Sequence, residues 1–140
     1  MARSLTPLPV DSLHLIIYMV FKRYIMPDRT RIPVVFYSTA SGSVPVLDWM
    51  RELDREDRRR IGLDLLRVQE NWPIGMPVCR SLGEGLWEVR NSLQNGRIAR
   101  LIFTLHRGEI YVLHGFFKKT QKTPPQDMVL ARRRMKEVLA

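Results

Sequence analysis

The chain has little of what most small-domain chemistry relies on. It carries one cysteine, Cys79, so no internal disulfide can form, and a reducing cytoplasmic compartment is expected. Its three histidines lie far apart, and no Cys/His group has zinc-like spacing, so no metal site is expected. There is no glycine-rich phosphate loop, because Gly83-x-Gly85 precedes a strand-like run rather than a helix. The methionine and aromatic positions read as core, and no cofactor is expected. An apolar run from Leu13 to Phe21, interrupted by His14, falls short of the roughly 20 residues that span a bilayer, so no membrane partner is expected. Internal repeats and low-complexity tracts are absent. Acidic residues are scarce too: 14 Asp and Glu stand against 23 Lys and Arg, a formal charge of +9.

What remains describes a globular, basic protein. At 140 residues and 45% hydrophobic content, a single domain with a modest core is expected. The positive excess is uneven, with ten Lys/Arg against three Asp/Glu between Arg97 and Ala140. Such a bias suits a polyanion or an acidic protein, and a merely soluble basic surface is the plain alternative.

Residues 1–25 read as an extension, either translated leader upstream of a start at Met26 or an added element packing on the domain. The compact domain is expected over residues 33–140. Val34-Val35-Phe36-Tyr37 reads as a strand. Ser43 is placed to cap a helix with Pro45 in its first turn, and Val46, Met50 and Leu53 recur at helical spacing. Asp54 is placed to cap a second helix, with Glu56 and Asp57 in its first turn and Ile61, Leu65 and Val68 as its apolar stripe. A basic meander follows, in which Leu86–Arg90, Arg97–Phe103 and Ile110–Lys118 are strands that carry positive charge at or near their ends. Asn95-Gly96 and Arg107-Gly108 are hairpin turns, the first a strong signal. Thr123 is placed to cap a final helix, with Pro124 in its first turn and Met128, Ala131, Met135 and Val138 on its apolar face. The expected order is β-α-α-β-β-β-α, an α+β domain: an N-terminal helical hairpin and a C-terminal helix against one face of a small, mostly antiparallel sheet.

Strand alternation puts Glu88 and Arg90 on one side, opposite Trp87 and Val89, and puts Arg100 opposite Leu101 and Phe103. If the apolar set faces the helices, Arg90 and Arg100 share the open face beside Lys118, Lys119 and Lys122. Either arginine alone reads sooner as a solvated strand residue or a partner of Glu88, and it is their joint placement beside the lysines that points to a site. His114 has the right ordinary pKa to protonate a leaving oxygen, but within an apolar strand it reads equally as a structural histidine. Tyr111 and Phe117 are expected on the core side, which argues against a stacking platform for single strands. RNA is the first partner to consider.

Arg80-x-Leu82, Leu86-Trp87-Glu88-Val89-Arg90, Arg100-Leu101-Ile102 and the run from Leu113 through Lys118-Lys119-Thr120-Gln121-Lys122-Thr123-Pro124 together resemble a known family. The resemblance is to toxins of bacterial type II toxin–antitoxin systems, closest to the phage-derived Gp49-like branch of the RelE/HigB superfamily. It implies a RelE-like fold and a metal-independent endoribonuclease that cleaves mRNA in the ribosomal A site. It also implies a cognate helix-turn-helix antitoxin and a toxin–antitoxin hetero-oligomer. On that resemblance Arg100 meets the scissile phosphate, Arg90 closes the preceding strand, and Lys118 or Lys119 supplies the basic residue after the last strand. His114 stands in for the general acid, while Arg80, Glu88, Arg97 and Lys122 are candidates for RNA contact. Deprotonation falls to Glu88 or to a lysine of lowered pKa. Two other readings stand beside this one: a non-catalytic RNA- or ribosome-binding module, and a toxin-fold corepressor acting with a DNA-binding antitoxin.

Overall fold

The computed structural model describes residues 31–140, so both expectations for residues 1–25 lie outside the described residues. In chain order the elements are β1 (Val34–Phe36), α1 (Pro45–Arg51), α2 (Arg55–Asn71), β2 (Cys79–Gly83), β3 (Leu86–Ser92), β4 (Ile98–His106), β5 (Glu109–Lys118) and α3 (Pro125–Leu139). The sheet order is β1-β5-β4-β3-β2, with β1 parallel to β5 and every other pair antiparallel. This is an α+β fold, as expected, with one strand more than the expected order. The added strand, β2, pairs with β3 across the Gly83-Glu84-Gly85 turn. Its sequence, CRSLG, has one buried residue and no clean alternation, which leaves little strand signal.

The turns follow the local chemistry. Asn95 and Gly96 have φ of 61° and 71°, and Arg107 and Gly108 have 51° and 77°, the left-handed values that two-residue hairpin turns need. Asp54 caps α2 by accepting from the Asp57 N–H at 2.8 Å. The other two expected caps are not made. Val44 is the N-cap of α1, and the Ser43 hydroxyl pairs with Thr39 Oγ1 instead. Pro124 is the N-cap of α3, and the Thr123 hydroxyl turns away to the sheet.

One face of the sheet carries the main core. Val46 and Met50 of α1, with Ile61, Leu65 and Val68 of α2, pack on Val89, Leu101, Phe103 and Val112. Trp72 meets Trp87 and Phe103 edge-on, with ring centroids 4.9 and 5.5 Å apart. The helices do not all share that face. α3 lies on the other side, where Met128, Ala131, Met135 and Val138 pack on Leu86, Ile102, Leu113 and Phe116. An apolar stripe specifies that a helix is buried but not which sheet face it covers.

The strand pairing explains a second departure. In β5 the register slips between the Phe103–Val112 and Ile102–His114 pairs, leaving Leu113 as an inserted residue. The bulge inverts the alternation, so Tyr111 packs with the α3 cluster while Phe117 lies 5.6 Å from Trp49 on the α1 side. The two were expected on one side. The same inversion carries His114, Phe116 and Lys118 onto the face of Arg100, because they pair with Ile102, Arg100 and Ile98.

Candidate functional site

Register brings four cations and one carboxylate together on the face that α3 only partly covers. Arg90 lies directly across from Arg100, and Arg80 directly across from Glu88. Lys118 ends β5 two positions beyond Phe116, the partner of Arg100. Opposed residues of an antiparallel pair project to the same face, so the backbone alone concentrates these charges.

Glu88 is the hub. It is 1% exposed, with Oε1 3.2 Å from Arg100 Nε and 3.7 Å from Lys118 Nζ. Its Oε2 accepts a 2.5 Å hydrogen bond from the Thr123 hydroxyl, which ties the connector between β5 and α3 to the sheet. Arg100 was expected on an open face but is 4% exposed, and its Nη1 donates to the Ala99 carbonyl at 2.8 Å. Its Nε contact with Glu88 is an ion pair without hydrogen-bond geometry.

The charges act on one another. Burial pushes the Lys118 ammonium below the usual lysine range; Glu88 opposes the shift, and Arg100, Arg80 and Arg90 add to it. Burial likewise lowers Arg100, against Glu88, yet a guanidinium stays charged at any working pH. A fixed guanidinium charge and an ammonium of lowered pKa thus stand on adjacent strands.

Beside this cluster lies an open cleft of about 540 Å³. Arg90, Ser92, Ile98 and Arg100 form its sheet wall, Arg59, Arg60, Leu63, Asp64 and Arg67 its helical wall, and Pro77 and Val78 the rest. The cleft therefore reaches both arginines of the opposed pair.

The remaining expected residues are elsewhere. Arg97 forks onto the buried Asp57 at 2.7 and 3.0 Å, pinning the β3–β4 turn to α2. His114 Nε2 sits 2.6 Å from Asp127 Oδ1 in the first turn of α3, and its ring stacks on Phe116 at 5.3 Å. That contact docks α3 on the sheet. Lys119 and Lys122 are exposed on the connector. Cys79 is buried, and its thiol is pushed up to about 11 by burial, in keeping with a packing residue.

Two parts of the arrangement are not evident from residue order. Thr123 looks like a helix cap by position, and its hydroxyl reaches Glu88 only because β5 and α3 fold back on each other. Arg59, Arg60 and Arg67 look like a solvated helix face, and only the tertiary fold sets them across the cleft from β3 and β4. Among the described residues, no group of three or more His, Cys, Asp or Glu side chains is placed to hold a metal ion. No described helix is long and apolar enough to cross a membrane.

No curated protein matches this chain. A family model does: residues 48–136, from α1 to the last turn of α3, match the phage-derived protein Gp49-like family (DUF891), and the chain belongs to that family.

Proposed function

We propose that this protein is the toxin of a type II toxin–antitoxin system, of the RelE/HigB superfamily, and a metal-independent endoribonuclease acting on mRNA at the ribosome. Membership in the phage-derived family supports a toxin-like protein. The observation that carries the ribonuclease reading is the cluster itself: Arg80, Arg90, Arg100 and Lys118 around the single carboxylate of Glu88, opening on an arginine-walled cleft. A cognate helix-turn-helix antitoxin is the partner that goes with this reading.

RNA brings its own nucleophile, the 2′-hydroxyl. The protein must align that oxygen with phosphorus, neutralise the extra negative charge of the transition state, and accept a proton. Arg90 and Arg100 serve the phosphate, because both reach the cleft wall. Lys118 takes the 2′-hydroxyl proton, since its lowered pKa enlarges the neutral fraction near physiological pH. Glu88 is poorly suited to that task. Its oxygens are already engaged by Arg100, Lys118 and Thr123, so it positions the cations instead. As the 2′-oxygen bonds to phosphorus, the bond to the 5′-oxygen breaks and that oxygen takes a proton from water. The products are a 2′,3′-cyclic phosphate and a 5′-hydroxyl.

One observation favours the non-catalytic RNA- or ribosome-binding reading: the side chains of Arg100 and Lys118 are each 5% exposed and already face Glu88. Induced expression in a bacterial host, with 5′ ends mapped on mRNA, separates the two. Wild type is expected to arrest growth and leave in-frame cuts in translated messages, and Arg100→Lys to lose both while folding normally. Arrest without cuts in the wild type would refute the ribonuclease reading and favour binding alone.

A further inference from the structure

We infer that the cleft between α2 and the ends of β3 and β4 is a track for a single-stranded polynucleotide, which continues there from the phosphate held at Arg90 and Arg100. The inference rests on the RNA reading above and extends it to residues that play no part in the chemistry.

Helical spacing creates the wall. Arg60, Leu63 and Arg67 fall at i, i+3 and i+7, and Arg59 lies one turn before Leu63, so all four share a face distinct from the buried Ile61–Leu65–Val68 stripe. The three arginine side chains are 44%, 47% and 55% exposed. Their acidic neighbours do not balance them. Glu56 alone serves both Arg59 and Arg60, at 3.7 and 3.3 Å. Asp64 is 4.0 Å from Arg67 but turns toward the protein, accepting from Asn91 Nδ2 at 2.9 Å. Across the cleft, Arg90 and Arg100 complete a set of five arginines against one lining carboxylate.

Charge alone would suit any polyanion, and the apolar part of the cleft narrows the choice. Leu63 and Ile98 are 39% and 38% exposed, facing the same space as the arginines. Exposed aliphatic surface between cations matches ribose and unstacked base faces alternating with phosphates. A duplex presents no such faces. Arg60 and Arg67 are seven residues apart, about 10.5 Å along the helix axis, so the wall is longer than a single nucleotide. The cleft is also continuous with the cluster through Arg90 and Arg100, so one strand can occupy both.

The test is binding of the full chain to a fluorescent 2′-O-methyl single-stranded RNA, which cannot be cut, over a salt series. Arg59→Gln/Arg60→Gln/Arg67→Gln is compared with Arg107→Gln/Arg133→Gln/Lys136→Gln, a variant of equal charge at exposed positions that do not line the cleft. The cleft variant is expected to flatten the slope of log K against log salt by about 2, at roughly 0.7 per lost phosphate contact, and to weaken binding more than tenfold at low salt. The control is expected to keep the wild-type slope, and Leu63→Ser to weaken binding at unchanged slope. Equal slopes in the two triple variants would overturn the inference. Failure of the wild type to bind RNA, with a poly-glutamate peptide bound instead and lost in the cleft variant, would overturn it in favour of an acidic protein partner. Cleft-dependent RNA binding by a protein that never cuts RNA would uphold the track and refute the ribonuclease reading.

Discussion

Removing the Glu88 carboxylate is the sharpest perturbation of this fold. At an effective dielectric of ~20, a unit charge pair at 3.2 Å attracts by about 5 kcal/mol and one at 3.7 Å by about 4.5, so Glu88 holds Arg100 and Lys118 with comparable force. Much of that is offset by desolvation and by the mutual repulsion of the four cations. The net cost of stranding two buried cations is therefore expected near 3–5 kcal/mol in Glu88→Gln, a large part of a small domain's stability. The loss should depend on pH. Without Glu88, nothing opposes the effects that lower Lys118, so its native pKa falls further below the unfolded value. Between those two pKa values the unfolded chain binds more protons than the native one, and stability therefore rises with pH across that window. Urea unfolding of wild type and Glu88→Gln at a series of pH values measures both effects. Adding Lys118→Met should recover part of the stability and abolish the extra pH slope. A cost below about 1 kcal/mol, or a gap between the proteins that does not narrow as pH rises, would refute the hub role.

Three further predictions concern single positions. Lys118→Arg keeps the charge beside Glu88 but cannot release a proton near neutrality, so the cleavage rate should fall by about a hundredfold and lose its rise with pH in single-turnover profiles. Gly115→Ala should destabilise the domain by about 1–3 kcal/mol and lower Tm by several degrees, read by thermal denaturation. Its new Cβ would stand 2.7 Å from the Trp49 ring and 3.1 Å from Leu101. Cys79, buried and raised to about 11, should resist iodoacetamide at pH 8 in the native protein and react on unfolding, which mass spectrometry follows.

The legible parts of the fold were those governed by local chemistry. Asn95-Gly96 and Arg107-Gly108 tolerate left-handed backbone, and both form the turns between β3, β4 and β5. Ile61, Leu65 and Val68 repeat at helical spacing, and all three are buried. The opposition of Arg90 and Arg100 was legible as well, since strand alternation and the hairpin turn together determine which residues meet. What was not legible depended on long-range packing. The bulge at Leu113 inverts the second half of β5, and no residue type announces it. The burial of Arg100 follows from that inversion and from the docking of α3 by His114 and Asp127. Thr123 and Ser43 have the composition of caps, but the Thr123 hydroxyl reaches across to Glu88 and the Ser43 hydroxyl pairs with Thr39 in its own turn. Arg97 looked like one more cation of the meander until the turn set it against Asp57.

The proposed chemistry has the cationic face cut RNA through the RNA's own 2′-hydroxyl. Single-turnover cleavage of ribosome-bound mRNA, with the ends of the products identified by mass, tests it most directly. The expected products carry 2′,3′-cyclic phosphate and 5′-hydroxyl ends, with no cut where the scissile nucleotide is 2′-deoxy. Products with 3′-hydroxyl and 5′-phosphate ends, or an undiminished cut at the 2′-deoxy position, would contradict it.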